Sequence, residues 1–466
     1  MSGPEPPHEP HRQVGLRGAR ALYASGSFGF NILQQTMALW LIYFYAPPPD
    51  SGRPTIIPLT LLGLLLTVSR TLEALDDPLI GHWSDVTRSP WGRRLPFVVA
   101  GTPFLVVTFA LLWLPPTGGL PWAALYLFLV VHLYSLASTV VQQPHDAALA
   151  EIARTPQERV RVSSLKVTFG LAGAAVGLVG SGALAGAAGF PAMGAALGAL
   201  AGLTILLSAV GLRSLPTGGT AAGLSVWQAL RLTATNRHFL VFVGSTLLFY
   251  LGLNLLTQVI PYYVTVVLEG TEQQVSLFTV LFSAVALAGV PLVNRLVRRG
   301  TKAGTYRLAM GALVLLLPGL ALVGLLPGPP PLAQGLVYVA MLGLPMAALF
   351  VLPNPILADV VDEDETRTGL RREGIYFAAA GTLNKLGFAL STVIFGLLLQ
   401  SFGFSTAQPL GVRLVGPVAG LGMLLGLLIF VRGYRLPDRI LAPARAPPEA
   451  GPGRAAQAAP YTLGQK

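Results

Sequence analysis

Four ionisable residues lie within an otherwise apolar stretch, residues 57–81. Arg70, Glu73 and Asp77 are spaced i, i+3 and i+7, and Asp76 adjoins them. On an α-helix this spacing places the first three side chains on one face. A charged side chain costs roughly 2.5–3.5 kcal/mol at the centre of a membrane helix, so such residues face a bundle interior or a wet cavity and usually mark an ion or solute path. The alternative is a structural cluster that holds helices in register, although one arginine cannot neutralise three acids.

The composition is that of a membrane protein. Of the 466 residues, 53% are hydrophobic and 11% are charged, whereas soluble domains carry about 25% charged residues. Cysteine is absent, which excludes disulfides and thiol chemistry. The sequence contains neither a Gly-x-x-x-x-Gly-Lys-Ser/Thr loop for ATP phosphates nor His and Cys at metal-ligand spacing. We therefore expect no enzyme and no ATP drive.

Runs of about twenty mostly apolar residues, the length that crosses a bilayer, recur along the chain. They predict an all-α membrane protein with transmembrane helices only. The predicted spans are twelve, at 20–45, 57–81, 96–115, 121–147, 167–188, 190–212, 238–261, 275–294, 307–326, 333–358, 374–402 and 411–432.

The basic residues predict the orientation of these spans. With the N-terminus inside, 27 of the 31 lysines and arginines fall in cytoplasmic loops and tails, and only Arg53 and Arg413 fall outside. This asymmetry follows the positive-inside rule. Basic loops against an anionic leaflet also explain the net charge of +11 without nucleic acid. We expect a multi-pass protein of the cell (inner) membrane with both termini cytoplasmic.

A polar stretch at 213–237 divides the predicted spans into six plus six. We expect a disordered N-terminus at 1–19, six-helix bundles at 20–212 and 238–437 joined by that linker, and a disordered tail at 438–466. Pro78 and Pro291 end the second and eighth spans in matching places, which indicates a weak internal repeat. Paired repeats are typical of secondary transporters, whose sites lie near the membrane midplane. We expect a monomer.

Several motifs resemble one family of transporters. Residues 81–94, with Asp85 followed by Gly92-Arg93-Arg94, resemble the loop between the second and third helices of the major facilitator superfamily. Residues 70–96, 155–163 and 357–376 resemble, in order, the glycoside–pentoside–hexuronide:cation symporters. The resemblance implies a major facilitator fold with two six-helix bundles.

The resemblance implies that Glu73 and Asp77 bind a coupling cation, with Asp76 and Thr139 nearby. It also implies that Lys385 of span eleven lies near this site, where its ammonium would be a counter-ion to the acids. Na⁺ at Glu73 and Asp77 is chemically sensible, because hard cations prefer oxygen ligands. A carboxylate in a poorly solvated cavity can bind H⁺ instead, because burial disfavours its charged form. Glu73 stands where the family usually has aspartate, so Na⁺ and H⁺ both remain open. No cofactor other than this ion is expected.

The resemblance also implies a solute site on several spans. Asn31 and Gln142 stand where the family has glycoside-binding carboxylates, and neutral amides form weaker hydrogen bonds to hydroxyls than carboxylates do. His145 and Asp146 either line the path or sit at the inner end of span four, and His132 is interpreted as a packing residue. The polar stripes of spans one and seven either line the cavity or bond neighbouring helices. The predicted substrate-binding residues are Asn31, Gln142, Arg70, Lys385, Asn254, Gln258 and Tyr262.

The function predicted from these residues is cation-coupled symport of a small solute, a sugar or glycoside, by alternating access. Two alternatives remain: symport of a lysolipid-like amphiphile, and a non-transporting membrane sensor on the same fold. The expected partners are therefore the solute, the coupling cation and the lipid bilayer. Charged clusters would close the inner side, and this predicted cytoplasmic gate comprises Asp85, Arg88, Arg93, Asp359, Asp362, Arg371 and Arg372.

Overall fold

A computed structural model describes residues 10–153, 156–214, 234–368 and 373–436, and within these ranges the chain forms helices and no strands. Most of the predicted linker, residues 1–9 and the predicted C-terminal tail lie outside these residues, whereas residues 10–19, expected to be disordered, belong to the first helix. The helices are α1 (Pro10–Tyr45), α2 (Leu59–Val86), α3 (Leu95–Leu111), α4 (Leu120–Ile152), α5 (Pro156–Ala175), α6 (Ser181–Arg213), α7 (Arg237–Tyr262), α8 (Glu272–Arg299), α9 (Lys302–Leu316), α10 (Pro331–Val351), α11 (Pro353–Thr368), α12 (Glu373–Phe402) and α13 (Leu410–Gly433).

Eight stretches of the described chain are long and apolar enough to cross a membrane. One of them, Arg161–Arg213, has 53 residues. At a rise of 1.5 Å per residue it would extend for about 80 Å, far beyond the roughly 30 Å hydrocarbon core, so it cannot be one crossing. The α3 helix is apolar but shorter. The predicted all-helical fold is confirmed, and the count of twelve crossings stays a prediction.

The long stretch reverses at Gly189. The backbone there has φ 83° and ψ 168°, a conformation that glycine adopts readily and other residues do not. On one side of the break, Ser181 accepts a hydrogen bond from the indole of Trp40 on α1. On the other side, the chain runs back along α1 until Gly211 packs against Tyr23. The predicted boundary between spans five and six therefore coincides with this reversal.

Several contacts between the first half of the described chain (up to residue 214) and the second half (from residue 234) lie at one end of the bundle. We call this the closed end and define it by the loops 46–58, 263–271 and 403–409. The Tyr262 hydroxyl donates there to the carbonyls of Ile42 and Ala46, at 3.2 and 2.6 Å. Arg53 forms an ion pair with Glu272 across the same boundary.

A second loop contact reinforces the closed end. Both the amide and the hydroxyl of Thr406 donate to Asp50 Oδ2, at 2.5 and 2.7 Å. Deeper in, the Ser276 hydroxyl donates to the Val179 carbonyl at 2.7 Å. These bonds hold the two halves together on one side of the central space. The opposite end, where α2, α4, α8 and α9 end or begin, is called the basic end here.

Candidate functional site

A cavity of about 640 Å³ lies between the two halves. Its walls come from α1, α2 and α4 of the first half and from α7, α8, α10 and α12 of the second. Sites for small molecules usually have volumes of about 300–1,000 Å³. Six of the residues predicted from the sequence line it: Arg70, Glu73, Thr139, Gln142, Asn254 and Lys385.

An ionic cluster crosses the cavity at the level of Glu73. Arg70 Nη1 lies 2.6 Å from Glu73 Oε2, and Lys385 Nζ lies 3.1 Å from Glu73 Oε1. Glu73 is only 8% exposed, so its charge depends on these two cations rather than on water. The Arg70 guanidinium also lies over the Phe388 ring, 4.7 Å from its centroid. The cluster therefore joins α2 of the first half to α12 of the second.

Asp76 has different surroundings from Glu73. Asp76 is not among the cavity-lining residues; its Oδ2 lies 3.7 Å from His132 Nε2 on α4. His132 in turn stacks on Phe128. Sequence reasoning treated His132 as a packing residue because no acid adjoins it in the chain, whereas the fold brings an acid beside it. Asp77 lies in α2, and its side chain is outside the described residues.

Much of the remaining wall consists of amides and hydroxyls. On α4 the lining residues recur at i, i+3, i+4 and i+7, the spacing of one helix face. That periodicity was the signal for lining residues that our sequence reasoning missed. Amides and hydroxyls donate and accept hydrogen bonds at the same time, which suits a solute rich in hydroxyl groups. The polar lining beyond the ionic cluster comprises Gln34, Gln35, Tyr134, Ser135, Ser138, Thr139, Gln142, Gln143, Tyr250, Asn254 and Thr257.

Three predicted substrate residues lie away from the cavity wall. Asn31 donates to the Ser27 carbonyl of its own helix at 2.8 Å. Gln258 is 1% exposed and donates to the Ser391 hydroxyl of α12 at 3.0 Å. Tyr262 belongs to the closed end. The polar stripe expected along α7 is therefore divided. Asn254 lines the cavity, whereas Gln258 and Tyr262 bond to neighbouring helices.

The two open interpretations for the end of span four are separated by the fold. His145 is fully buried and stacks on Tyr23, with ring centroids 4.6 Å apart. Asp146 lines the cavity and pairs with Lys166 at 2.5 Å. Its side chain is half exposed, so the cavity extends towards the basic end. Asp146 therefore lines the cavity, and His145 packs against α1.

The predicted cytoplasmic gate is described only in part. Arg88 is exposed, and Arg93 is half-buried in the loop after α2. Asp359 on α11 accepts a hydrogen bond from Lys302 of α9 at 2.6 Å, a contact within the second half. Asp362 is half-buried on the same helix. The side chain of Asp85 lies outside the described residues, and Arg371 and Arg372 lie outside them entirely.

An all-helical chain with several apolar spans and a polar chamber between two halves defines a membrane transporter. The family described as MFS/sugar transport protein matches residues 22–434. The chain therefore belongs to that family, which confirms the major facilitator symporter predicted from the motifs. Its relatives are transporters and not enzymes.

Several relatives match most of the chain at low sequence identity. An uncharacterized symporter of Synechocystis is 25% identical, over 83% of this chain and 86% of that protein. The isoprimeverose transporter of Lactiplantibacillus pentosus is 23% identical, over 93% and 92%. The sodium-dependent lysophosphatidylcholine symporter 1 of Gallus gallus is 24% identical, over 79% and 78%. The crystal structure of the nucleoside transporter NupG matches with a TM-score of 0.64 at 13% identity, covering 90% of this chain and all of that one.

Proposed function

We propose that this protein is a cation-coupled symporter for a small hydroxyl-rich solute, a sugar or glycoside, and that it works by alternating access. The observation that carries the proposal is the cluster of Arg70, Glu73 and Lys385 in the wall of the cavity. It pairs a carboxylate on one half with an ammonium on the other, beside a space of solute size lined by polar side chains. The isoprimeverose transporter among the relatives supports the sugar class.

The coupling follows from competition for one carboxylate. A cation that binds Glu73 must displace Lys385 from Oε1, because Arg70 already holds Oε2. Thr139 in the cavity wall and Asp77, the acid that the family resemblance implies, are the further oxygen ligands we assign to a hard cation such as Na⁺. Displacement of Lys385 from Glu73 removes a contact between the halves. Cation and solute then raise each other's affinity by the same factor.

The solute is bound by amides rather than by carboxylates. Gln142 lies in the cavity wall between Thr139 and Gln143, and Asn254 faces it from α7. Charge-assisted hydrogen bonds are about twice as strong as neutral ones. Galactosides that depend on carboxylate contacts should therefore bind weakly, and tight calorimetric binding of melibiose by the unmodified protein would contradict this assignment.

The orientation proposed from the basic residues places the basic end in the cytoplasm. The cavity then faces inward, and the closed end is the external gate. The predicted gate residues on the inner side, among them Arg88, Arg93 and Asp362, would come together when the transporter opens outward.

The proposal is tested by uptake into proteoliposomes with each gradient imposed separately. A Na⁺ gradient or a pH gradient should drive accumulation of the solute, and Asp77→Asn should abolish the accumulation while the protein remains folded. Glu73→Gln should uncouple it as well. Accumulation by Asp77→Asn at the wild-type level would refute the coupling, and flux in neither condition would favour a sensor.

An amphiphilic solute is the second candidate. The lysophosphatidylcholine symporter among the relatives supports it, as do Phe30, Phe282, Phe350 and Phe388 in the cavity wall. Lysophosphatidylcholine added to the same vesicles should compete with a sugar only if both use this cavity. Uptake of the lipid without any sugar uptake would favour the second candidate.

A further inference from the structure

A small second cavity lies inside the second half, beside the main one. Its volume is about 80 Å³, and its wall comes from α7, α8, α10 and the segment around Leu320. It shares Leu253, Thr257 and Phe282 with the main cavity. The two spaces are therefore adjacent, separated at most by these three side chains.

The wall of the side pocket is almost entirely apolar. Two of its lining residues carry hydroxyl groups, and both are bonded to the backbone. The Tyr263 hydroxyl donates to the Leu320 carbonyl at 2.6 Å, and the Thr257 hydroxyl donates to the Leu253 carbonyl at 2.9 Å. Water in such a space lacks hydrogen-bond partners, so an apolar cavity of this kind stays dry.

The surroundings of the pocket are otherwise tightly packed. Val264, Phe278 and Met346 in its wall are each at most 2% exposed. Protein interiors are packed as densely as organic crystals, and the atoms that line a void lose dispersion contacts. An apolar group that enters the pocket restores those contacts and displaces little ordered water.

We propose that the side pocket binds a short alkyl substituent of the transported solute, which makes the preferred substrate an alkyl glycoside or a similar small amphiphile rather than a bare sugar. The inference rests on the proposed function, because the polar part of this solute occupies the main cavity near Asn254. A dry cavity of about 150 Å³ binds benzene. A pocket of about half that size takes about three carbons, far less than a lysolipid chain.

The chain length of the ligand tests the inference. Methyl, ethyl, propyl, butyl and pentyl β-D-glucopyranosides are titrated into the protein in lipid nanodiscs, which avoids glycoside detergents. Each methylene should strengthen binding about fourfold up to propyl, because burying one methylene is worth about 0.8 kcal/mol. Longer chains should add little. Equal affinity for methyl and propyl glucoside would overturn the inference and leave symport itself untouched.

A matched pair of variants locates the effect. Val339 lines the pocket, and Val337→Phe adds the same ring on the same helix at a position that is 63% exposed. Val339→Phe should remove the dependence on chain length, whereas Val337→Phe should keep it. Chain-length dependence that survives in Val339→Phe would contradict the assignment to this pocket.

A probe that contains no sugar tests the pocket even if no glucoside binds. Failure of every glucoside to bind would itself count against the sugar class in the proposed function. Crystals pressurised with xenon should show a xenon peak among Val259, Leu342 and Met346 in the wild type. The peak should vanish in Val339→Phe and persist in Val337→Phe. An absent peak in the wild type would overturn the pocket whatever the solute proves to be.

Discussion

Replacing Lys385 with alanine should make the protein bind its coupling cation more tightly. In the structure Lys385 Nζ lies 3.1 Å from Glu73 Oε1, so the ammonium occupies the place where a transported cation would bind. Arg70 remains on the other oxygen in the variant. The buried carboxylate is therefore not left unpaired, and the protein should still fold.

The magnitude follows from the geometry. Two unit charges 3.1 Å apart attract by about 5 kcal/mol at an effective dielectric constant of about 20. The Lys385 side chain is 42% exposed, and water weakens such a pair towards the 0.2–1 kcal/mol typical of surface ion pairs. A value of about 1–2 kcal/mol is reasonable, and 1.4 kcal/mol corresponds to about a tenfold change in affinity.

The assay is the thermal stability of solute-free protein in nanodiscs as a function of cation concentration, since a ligand that binds only the folded state raises its stability. Na⁺ is varied at constant ionic strength, and H⁺ is varied separately without Na⁺. The cation concentration at the midpoint should fall about tenfold in Lys385→Ala; if the coupling ion is H⁺, the pH at the midpoint should therefore rise by about one unit.

Lys302→Ala is the matched control, because it removes a lysine–carboxylate pair to Asp359 that lies away from the cavity. Its midpoint should equal that of the wild type. An unchanged or weaker cation affinity in Lys385→Ala would refute the idea that the lysine and the cation compete for Glu73.

Three further predictions concern the closed end and the helix reversal. Arg53→Ala breaks the closed-end ion pair. The chain has no cysteine of its own, so Ser276→Cys provides a single labelling site, which should react several-fold faster with a membrane-impermeant maleimide when Arg53→Ala is also present. An unchanged rate would exclude the ion pair as a gate. Two hydrogen bonds from Thr406 hold the pKa of Asp50 below its ordinary value of 3.8. This contact therefore stabilises the closed end fully above pH 3.8, and the stabilisation is lost as the pH falls through the lowered pKa. The amide that donates to it should then lose protection from hydrogen exchange, and protection that persists would contradict this account. Gly189→Ala should destabilise the protein by about 1–3 kcal/mol in thermal unfolding, whereas Gly311→Ala, in a helix with open space around the glycine, should not; equal effects would refute the conformational argument.

The periodicity of the sequence determined which residues of single helices share a face. The spacing of Arg70 and Glu73 placed both on one face of α2, and both line the cavity. Thr139 and Gln142 on α4 were implied by the family resemblance and not by periodicity, and both line the cavity as well. The sequence also indicated a membrane protein, because charged side chains are costly in lipid and are therefore rare within the long apolar runs. The reversal at Gly189 was indicated by the lengths of the apolar runs, since one helix cannot cross a bilayer of about 30 Å with twice the necessary residues.

Most of the side-chain contacts between helices were decided only by the tertiary structure. His132 lies beside Asp76, although no acid adjoins it in the sequence. The resemblance implied that Lys385 lies near the cation site, and the structure adds that it reaches one oxygen of Glu73. Helix periodicity fixes the direction of a side chain relative to its own axis, but the rotation and tilt of each helix follow from packing against its neighbours. For the same reason Gln258, on a polar stripe of α7, bonds to α12 instead of facing the cavity. The side pocket is the clearest case, because a void depends on how all the surrounding helices fit together and has no pattern in the chain.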